Sequence, residues 1–216
     1  MKNMNKRILM SAFGVIICGI SVGLFKHASL GVDPFQSFMS GLDAVISISF
    51  GTLYVIVNLI LLTFSLLLDK KKIGLATFIN LFFLGYIAEY SQKGFEKFFP
   101  LPSLFLRLFL LSVAVVIMCL ASAFYFTANL GVSTYDAITL IWSEKQQKIP
   151  FSICRIVGDL VCVFAGIMLC LSSGYNLGQI FGVVGIGTII TAFFMGPLIS
   201  FFNKSLAEPF LYGKNN

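Results

Sequence analysis

The sequence predicts an all-α polytopic membrane protein. About six transmembrane helices form two inverted three-helix repeats, each with a short re-entrant or interfacial helix. Three observations predict this. Residues of the AVILMFWYC set make up 58% of the 216 and DEKR only 11%, whereas a soluble domain carries roughly 25% charged residues, and mean hydropathy is +0.95. Apolar runs of bilayer-spanning length recur along the chain. Two pairs of motifs return in the same order in the second half.

A hydrocarbon core of about 30 Å takes about 20 apolar residues of helix. Six stretches qualify: Ile8–Phe25, Gly51–Leu68, Ile73–Tyr90, Leu104–Phe126, Phe151–Leu171 and Leu177–Phe202. The first follows Lys2, Lys6 and Arg7 as a secretory signal would. It ends in Phe25, Lys26 and His27 with no small-residue cleavage site, so an uncleaved helix is expected. Pro100 and Pro102 mark a seam between halves. The expected units are residues 1–98 and 104–203, with a cytoplasmic tail over 204–216.

Basic residues set orientation. With the N-terminus inside, ten fall in the cytoplasm (Lys2, Lys6, Arg7, Lys70, Lys71, Lys72, Lys145, Lys148, Lys204 and Lys214) and three outside (Lys26, Lys93 and Lys97), with Arg107 near an outer helix end. Both termini are therefore expected in the cytoplasm of a multi-pass plasma-membrane protein. The net charge of +6 is not a nucleic-acid signature, because no basic stripe interleaves with aromatics.

Between the first two spans lies LGVDPF (Leu30–Phe35), and one hundred positions on, LGVSTY (Leu130–Tyr135). A second pair matches without a gap: IGLATFINLFFLG from Ile73 and VGIGTIITAFFMG from Val184 share Gly74/Gly185, Thr77/Thr188, Phe82/Phe193, Phe83/Phe194 and Gly85/Gly196. Two ordered anchors predict a duplication. Three crossings per unit is odd, so the second copy stands upside down, the architecture in which solute sites lie where repeats meet.

Asp33 before Pro34 is a helix-start signal, since the carboxylate accepts free N–H groups and Pro suits the first helical position. Ser133 or Thr134 serves the second copy, and Gly31 and Gly131 supply the turns. Pro34 to Ile46 is thirteen residues, about 20 Å of helix and too short to cross easily. Eight spans would also put the triple lysine outside. Phe35, Phe38, Met39, Leu42, Val45 and Ile46 form one face, with Gln36, Ser37, Ser40 and Asp43 opposite. The second segment sets Tyr135, Ile138, Ile141 and Trp142 against Asp136, Thr139 and Ser143. Such helices either lie flat at the interface or enter the bilayer with their positive N-termini aimed at a cavity, where they help bind an anion or polar solute.

Buried polar residues complete the candidate set. Arg155 and Asp159 share a helix face four apart, as an ion pair or a solute contact. Asn58 sits at the position equivalent to Asp159. The candidate solute-binding residues are Asp33, Gln36, Asn58, Asn80, Ser133, Thr134, Asp136, Arg155, Asp159, Thr77 and Thr188. Glu89, Gln179, Thr191 and His27 are weaker. Gly19-xxx-Gly23 and Gly178-xxx-Gly182 are expected to let helices approach closely.

The five cysteines lie inside apolar runs without CxxC spacing; neither metal nor disulfide is expected. The run Gly182-Val-Val-Gly185-Ile-Gly187 lacks the Lys-Ser/Thr ending of a phosphate loop. No HExxH or GxSxG motif appears, so neither cofactor nor enzymatic chemistry is expected.

LGVDPF with its short helix, IGLATFIN, FLG, RIVGDL and GIGTIITAFFMGP resemble the YczE/YyaS/YitT group of bacterial integral membrane proteins, nearest its YczE-like branch, over almost the whole chain. The resemblance implies location and architecture more than a substrate. Phe35 meets that group's aromatic after Pro, while the second copy has Thr134 in place of the Pro. The expectation is a small permease, a secondary transporter or channel-like, moving a small polar or anionic solute. The alternatives are a solute-binding subunit of an ATP-driven system and a non-transporting regulatory or scaffold protein. Expected partners are the lipid bilayer, a small solute and either a second copy or an ATPase subunit.

Overall fold

The computed structural model describes residues 4–100, 102–146 and 151–213, and among them every regular element is helical. Lys2, Lys148 and Lys214, used above for orientation, lie outside the described residues. In chain order the helices are α1 (Met4–Ala28), α2 (Pro34–Val45), α3 (Phe50–Leu68), α4 (Leu75–Phe98), α5 (Leu104–Ala128), α6 (Thr134–Gln146), α7 (Phe151–Ser172), α8 (Leu177–Val183), α9 (Ile186–Phe202) and α10 (Glu208–Tyr212). A 3-10 turn, Lys70–Lys72, precedes α4, and a π turn, Asn203–Ala207, joins α9 to α10. The chain beyond Phe202 thus continues as helix, and Ala207 and Leu211 pack with Met10, Ala123 and Ala128.

Five helical stretches among the described residues are long and apolar enough to cross a membrane: Met4–Ala28, Phe50–Leu68, Leu104–Ala128, Ile153–Ser172 and the run Leu177–Tyr212. The third stretch expected from sequence forms α4. It has the length, but Asn80, Glu89, Ser91 and Gln92 dilute its apolar character, and it is not one of the five. Large apolar side chains such as Leu9, Phe64, Phe105 and Leu160 point away from the bundle. An apolar exterior suits lipid and would be costly in water.

Helix starts follow local chemistry. Ser49 Oγ accepts from Thr52 N–H (3.3 Å), Ser103 Oγ from Leu106 N–H (3.4 Å), and Asn176 and Gln179 exchange bonds of 2.9 Å. α1 runs antiparallel to α5, since Gly14 meets Ala121 and Ser21 Oγ donates to Ala114 O at 2.8 Å. α4 runs parallel to α1, where a Cβ on Gly19 or Gly23 would lie 2.7 Å from Ile87 or Gln92. α9 is parallel to α5, through Cys119 and Met195, then Thr127 and Asn203. Gly178 and Gly182 are different from the expectation. Both sit on or beside the seven-residue α8, and a Cβ on Gly182 would make only ordinary contact with Ser29.

Several long-range contacts occur twice. Arg7 donates to Ala128 O at 2.8 Å, and Arg107, one hundred positions on, donates to Ala28 O at 2.6 Å. Each guanidinium therefore caps the last turn of the other arm's helix, where carbonyls lack partners. Beyond those ends Gly31 (φ +100°) and Gly131 (φ +105°) make left-handed turns. A Cβ on either would lie 2.5 Å from the backbone nitrogen of Gly185 or Gly74 respectively. Leu30 O accepts from Gly187 N–H (2.8 Å) and Leu130 O from Ala76 N–H (2.9 Å). Val32 N–H donates to Val183 O (3.1 Å) and Val132 N–H to Lys72 O (3.2 Å). Each LGV turn is thus clamped to the start of a helix in the other half.

The short helices are packed into this frame. α2 lies against α7, where Gly41 and Gly166 bring the backbones together, and α6 lies against α3. Gln36, Ser37 and Ser40, the polar face read from sequence, are buried at 4%, 0% and 9% exposure.

Candidate functional site

The two short helices begin beside one another. Asp33 Oδ1 accepts from Gln36 N–H at 3.2 Å to start α2. Ser133 Oγ accepts from Asp136 N–H at 3.1 Å and donates to its Oδ2 at 2.7 Å to start α6. Phe35 and Tyr135, each two residues after its cap, stack with centroids 5.0 Å apart and planes at 21°. The edge of Tyr54 closes on Phe35 at 6.1 Å.

Around these rings lies a half-open cavity of about 620 Å³, with walls from α1 to α7 and α9. That volume accommodates a small organic molecule. Eight of the residues nominated by sequence line it: Asp33, Gln36, Asn58, Asn80, Ser133, Asp136, Arg155 and Asp159. Pro34 lines it too.

Arg155 is the cation of the site. It binds Asp136 through Nη1, pairs with Asp159 at 3.2 Å, and places its guanidinium 4.7 Å from the centroid of Tyr135. Tyr135 thus contacts both Phe35 and Arg155, and its hydroxyl donates to Asp159 Oδ1 at 2.7 Å. Asn58 Nδ2 donates to Tyr54 O at 2.8 Å and its Oδ1 accepts from Thr134. Tyr54 donates to Asn80 Oδ1 at 3.1 Å.

Three nominated residues do not line the cavity. Thr77 Oγ1 donates to Val132 O at 2.6 Å and accepts from Gly74 N–H at 3.1 Å. Thr188 accepts from Gly185 N–H at 3.2 Å. Both threonines hold the clamped turns. Thr134 is spent on Asn58. Of the weaker candidates, Thr191 lines the wall, whereas Glu89 binds Gly51 N–H and Lys93, and Gln179 caps α8.

Sequence reasoning missed Tyr54, Tyr125, Ser122 and Cys18, which also line the cavity. It placed Tyr135 only on an apolar face. A usable signal was present, since Tyr54 lies four residues before Asn58 and Tyr135 aligns with Phe35. Among the described residues no group of three or more His, Cys, Asp or Glu side chains is arranged to hold a metal ion.

Comparison with known proteins places the chain. The profile of a family described as a family of unknown function, DUF6198, matches residues 5–204. The uncharacterized protein YyaS of Bacillus subtilis (strain 168) is 25% identical over 198 residues, covering 92% of this chain and 92% of its own length. An uncharacterized protein of Haemophilus influenzae is 26% identical over 204 residues, 94% of this chain and 86% of that protein. The uncharacterized membrane protein YczE of Bacillus subtilis is 23% identical over 192 residues, 87% and 81% respectively. No solved structure matches the chain.

Proposed function

Because the chain belongs to the DUF6198 family, whose relatives here include a membrane protein by name, we propose that it is a small bacterial plasma-membrane permease. It carries a solute through the cavity between α2 and α6 and is not an enzyme. The observation that carries this reading is a half-open, mainly apolar cavity that gathers polar and charged side chains inside a bundle with an apolar exterior. A membrane protein that only scaffolds a partner has no need of eight polar or charged groups around a void of that size.

In this reading the two halves are inverted repeats of three spans each, with α4 the sixth span and both termini cytoplasmic. The duplicated clamps support it: Arg7 and Arg107, Ala28 and Ala128, Gly31 and Gly131 make equivalent contacts in exchanged partners. The antiparallel course of α1 and α5, each with a parallel companion, supports it too. α2 and α6 are re-entrant helices, and the burial of Gln36, Ser37 and Ser40 favours that over a helix lying flat on the surface.

Two measurements test this. In liposomes containing the purified protein, a solute that stabilises it should also cross the bilayer. A broad panel giving neither stabilisation nor flux would refute the permease. In a cysteine-free background, Ser47→Cys and Lys145→Cys should react with impermeant reagents from opposite sides. Reaction from the same side would sink the inverted arrangement. Flux that appears only with a co-purifying ATPase pair would convert the reading to a subunit of an ATP-driven system.

A further inference from the structure

The expectation of a polar or anionic solute rested on two positive helix ends facing one cavity. The structure fills both ends with carboxylates: Asp33 caps α2, and Asp136 stands in the first turn of α6 beside Ser133. Three carboxylates, from Asp33, Asp136 and Asp159, line the cavity with the single guanidinium of Arg155. Arg155 is engaged by Asp136 and Asp159. Among the described residues no Lys, Arg or His side chain comes within ion-pair distance of Asp33. The residual charge of the site is negative, which repels an anion and attracts a cation.

A second, independent observation comes from Gln36. Its side chain lines the cavity and is 4% exposed, yet its Oε1 has no hydrogen-bond partner. The hydroxyl of Tyr125, also on the cavity wall, is buried without a partner as well. A buried acceptor left unmet is costly, so each such atom is open to a donor. Gln36 follows Asp33 by three residues on the same first turn; its side-chain carbonyl lacks a donor, and the Asp33 carboxylate lacks an ion-pair partner among the described residues.

The remaining wall decides what bears that charge. Val22, Phe35, Leu84 and Met118 face the cavity with apolar or aromatic surface. A bare metal ion needs six or so oxygen ligands, and no acidic or histidine grouping among the described residues supplies them. An organic body suits such walls.

We propose that the cavity takes an organic cation whose charged end carries N–H donors, a primary ammonium on an apolar body, held by the Asp33 carboxylate and the Gln36 side-chain carbonyl. The inference rests on the carrier reading of this same cavity and names its solute class. Arg155, Asp136 and Asp159 then form the fixed wall behind Tyr135 rather than the solute contact.

The test is titration calorimetry on the purified full chain in detergent at neutral pH with four matched indoles. Tryptamine supplies the primary ammonium, its trimethylammonium analogue the charge without those donors, tryptophol a neutral end and indole-3-propionate an anion. Tryptamine should bind about tenfold or more tighter than each of the other three. Asp33→Asn, which keeps the helix cap, and Gln36→Leu should each weaken it by about tenfold or more, the size expected when a buried acceptor and its donor are parted. Thermal unfolding of both variants without ligand checks that they fold. Equal or tighter binding of indole-3-propionate or tryptophol would overturn the charge assignment, and equal binding of the trimethylammonium would overturn the donor assignment. No heat from tryptamine at either of two well-separated temperatures would overturn the proposal. Tryptamine flux into liposomes separates the two readings. Binding without flux leaves the cation site standing and removes transport, whereas flux of an unrelated anion without tryptamine binding does the reverse.

Discussion

Phe35 and Tyr135 stack ring on ring, 5.0 Å between centroids, although one hundred residues separate them. They hold matching places in the two LGV segments, and both line the cavity. The Arg155 guanidinium also lies over the Tyr135 ring, and Asp159 accepts from its hydroxyl. A double-mutant cycle with Phe35→Leu and Tyr135→Leu should give a coupling of about 0.5–1.5 kcal/mol beyond lost area. Unfolding in detergent measures it, and additive effects would mean the stacking contributes nothing specific.

Arg155 holds two carboxylates that have few alternatives. Arg155→Met should cost about 1–3 kcal/mol, since Asp136 and Asp159 each lose a charged donor. Adding Asp136→Asn and Asp159→Asn to that variant should restore a good part of the loss, because the stranded charges go with it. Melting temperatures of the single and triple variants decide the matter.

The exchanged arginine caps should behave alike. Arg7→Gln and Arg107→Gln each remove a charge-assisted bond to a helix-terminal carbonyl, of Ala128 or Ala28. Each should lower stability by about 1.5–3 kcal/mol. A large loss in one and none in the other would mean that the matching contacts carry different loads.

Glycine substitutions should split by position. Gly31→Ala puts a Cβ at φ +100° and 2.5 Å from Gly185 N, so strain of roughly 1–2 kcal/mol adds to a displaced turn. Gly94, with open space around it in α4, should gain about 0.5–1 kcal/mol as Ala. Expression and melting of the two variants give the comparison.

Much of the fold was legible because it rests on local chemistry. The caps at Asp33 and Ser133 bond three residues ahead, a reach that a sequence displays directly. The apolar runs fix helix length in the same local way. α4 was read as a span of the same kind as the others, although Asn80 and Glu89 set it apart; Asn80 accepts from Tyr54 and Glu89 from Gly51. The site was legible in its charged and amide residues but not in its tyrosines. An aromatic side chain with a polar tip reads as wall until its partner is known. Thr77 and Thr188 misled for the opposite reason: they sit at matching places with polar side chains, yet those side chains secure backbone.

By itself the sequence determined a greasy helical chain, where its helices begin, and that two segments repeat. Those properties come from composition and from contacts within one turn of helix. Only the tertiary structure decided that each LGV turn docks on the other half, that the polar face of α2 is buried, and that two carboxylates pair with one guanidinium on a cavity that a third carboxylate also lines. Such facts depend on which helix packs against which across fifty or more residues. That is set by the close approach of Gly41 to Gly166 and of Gly31 to Gly185, a steric fit between distant backbones that no local pattern encodes.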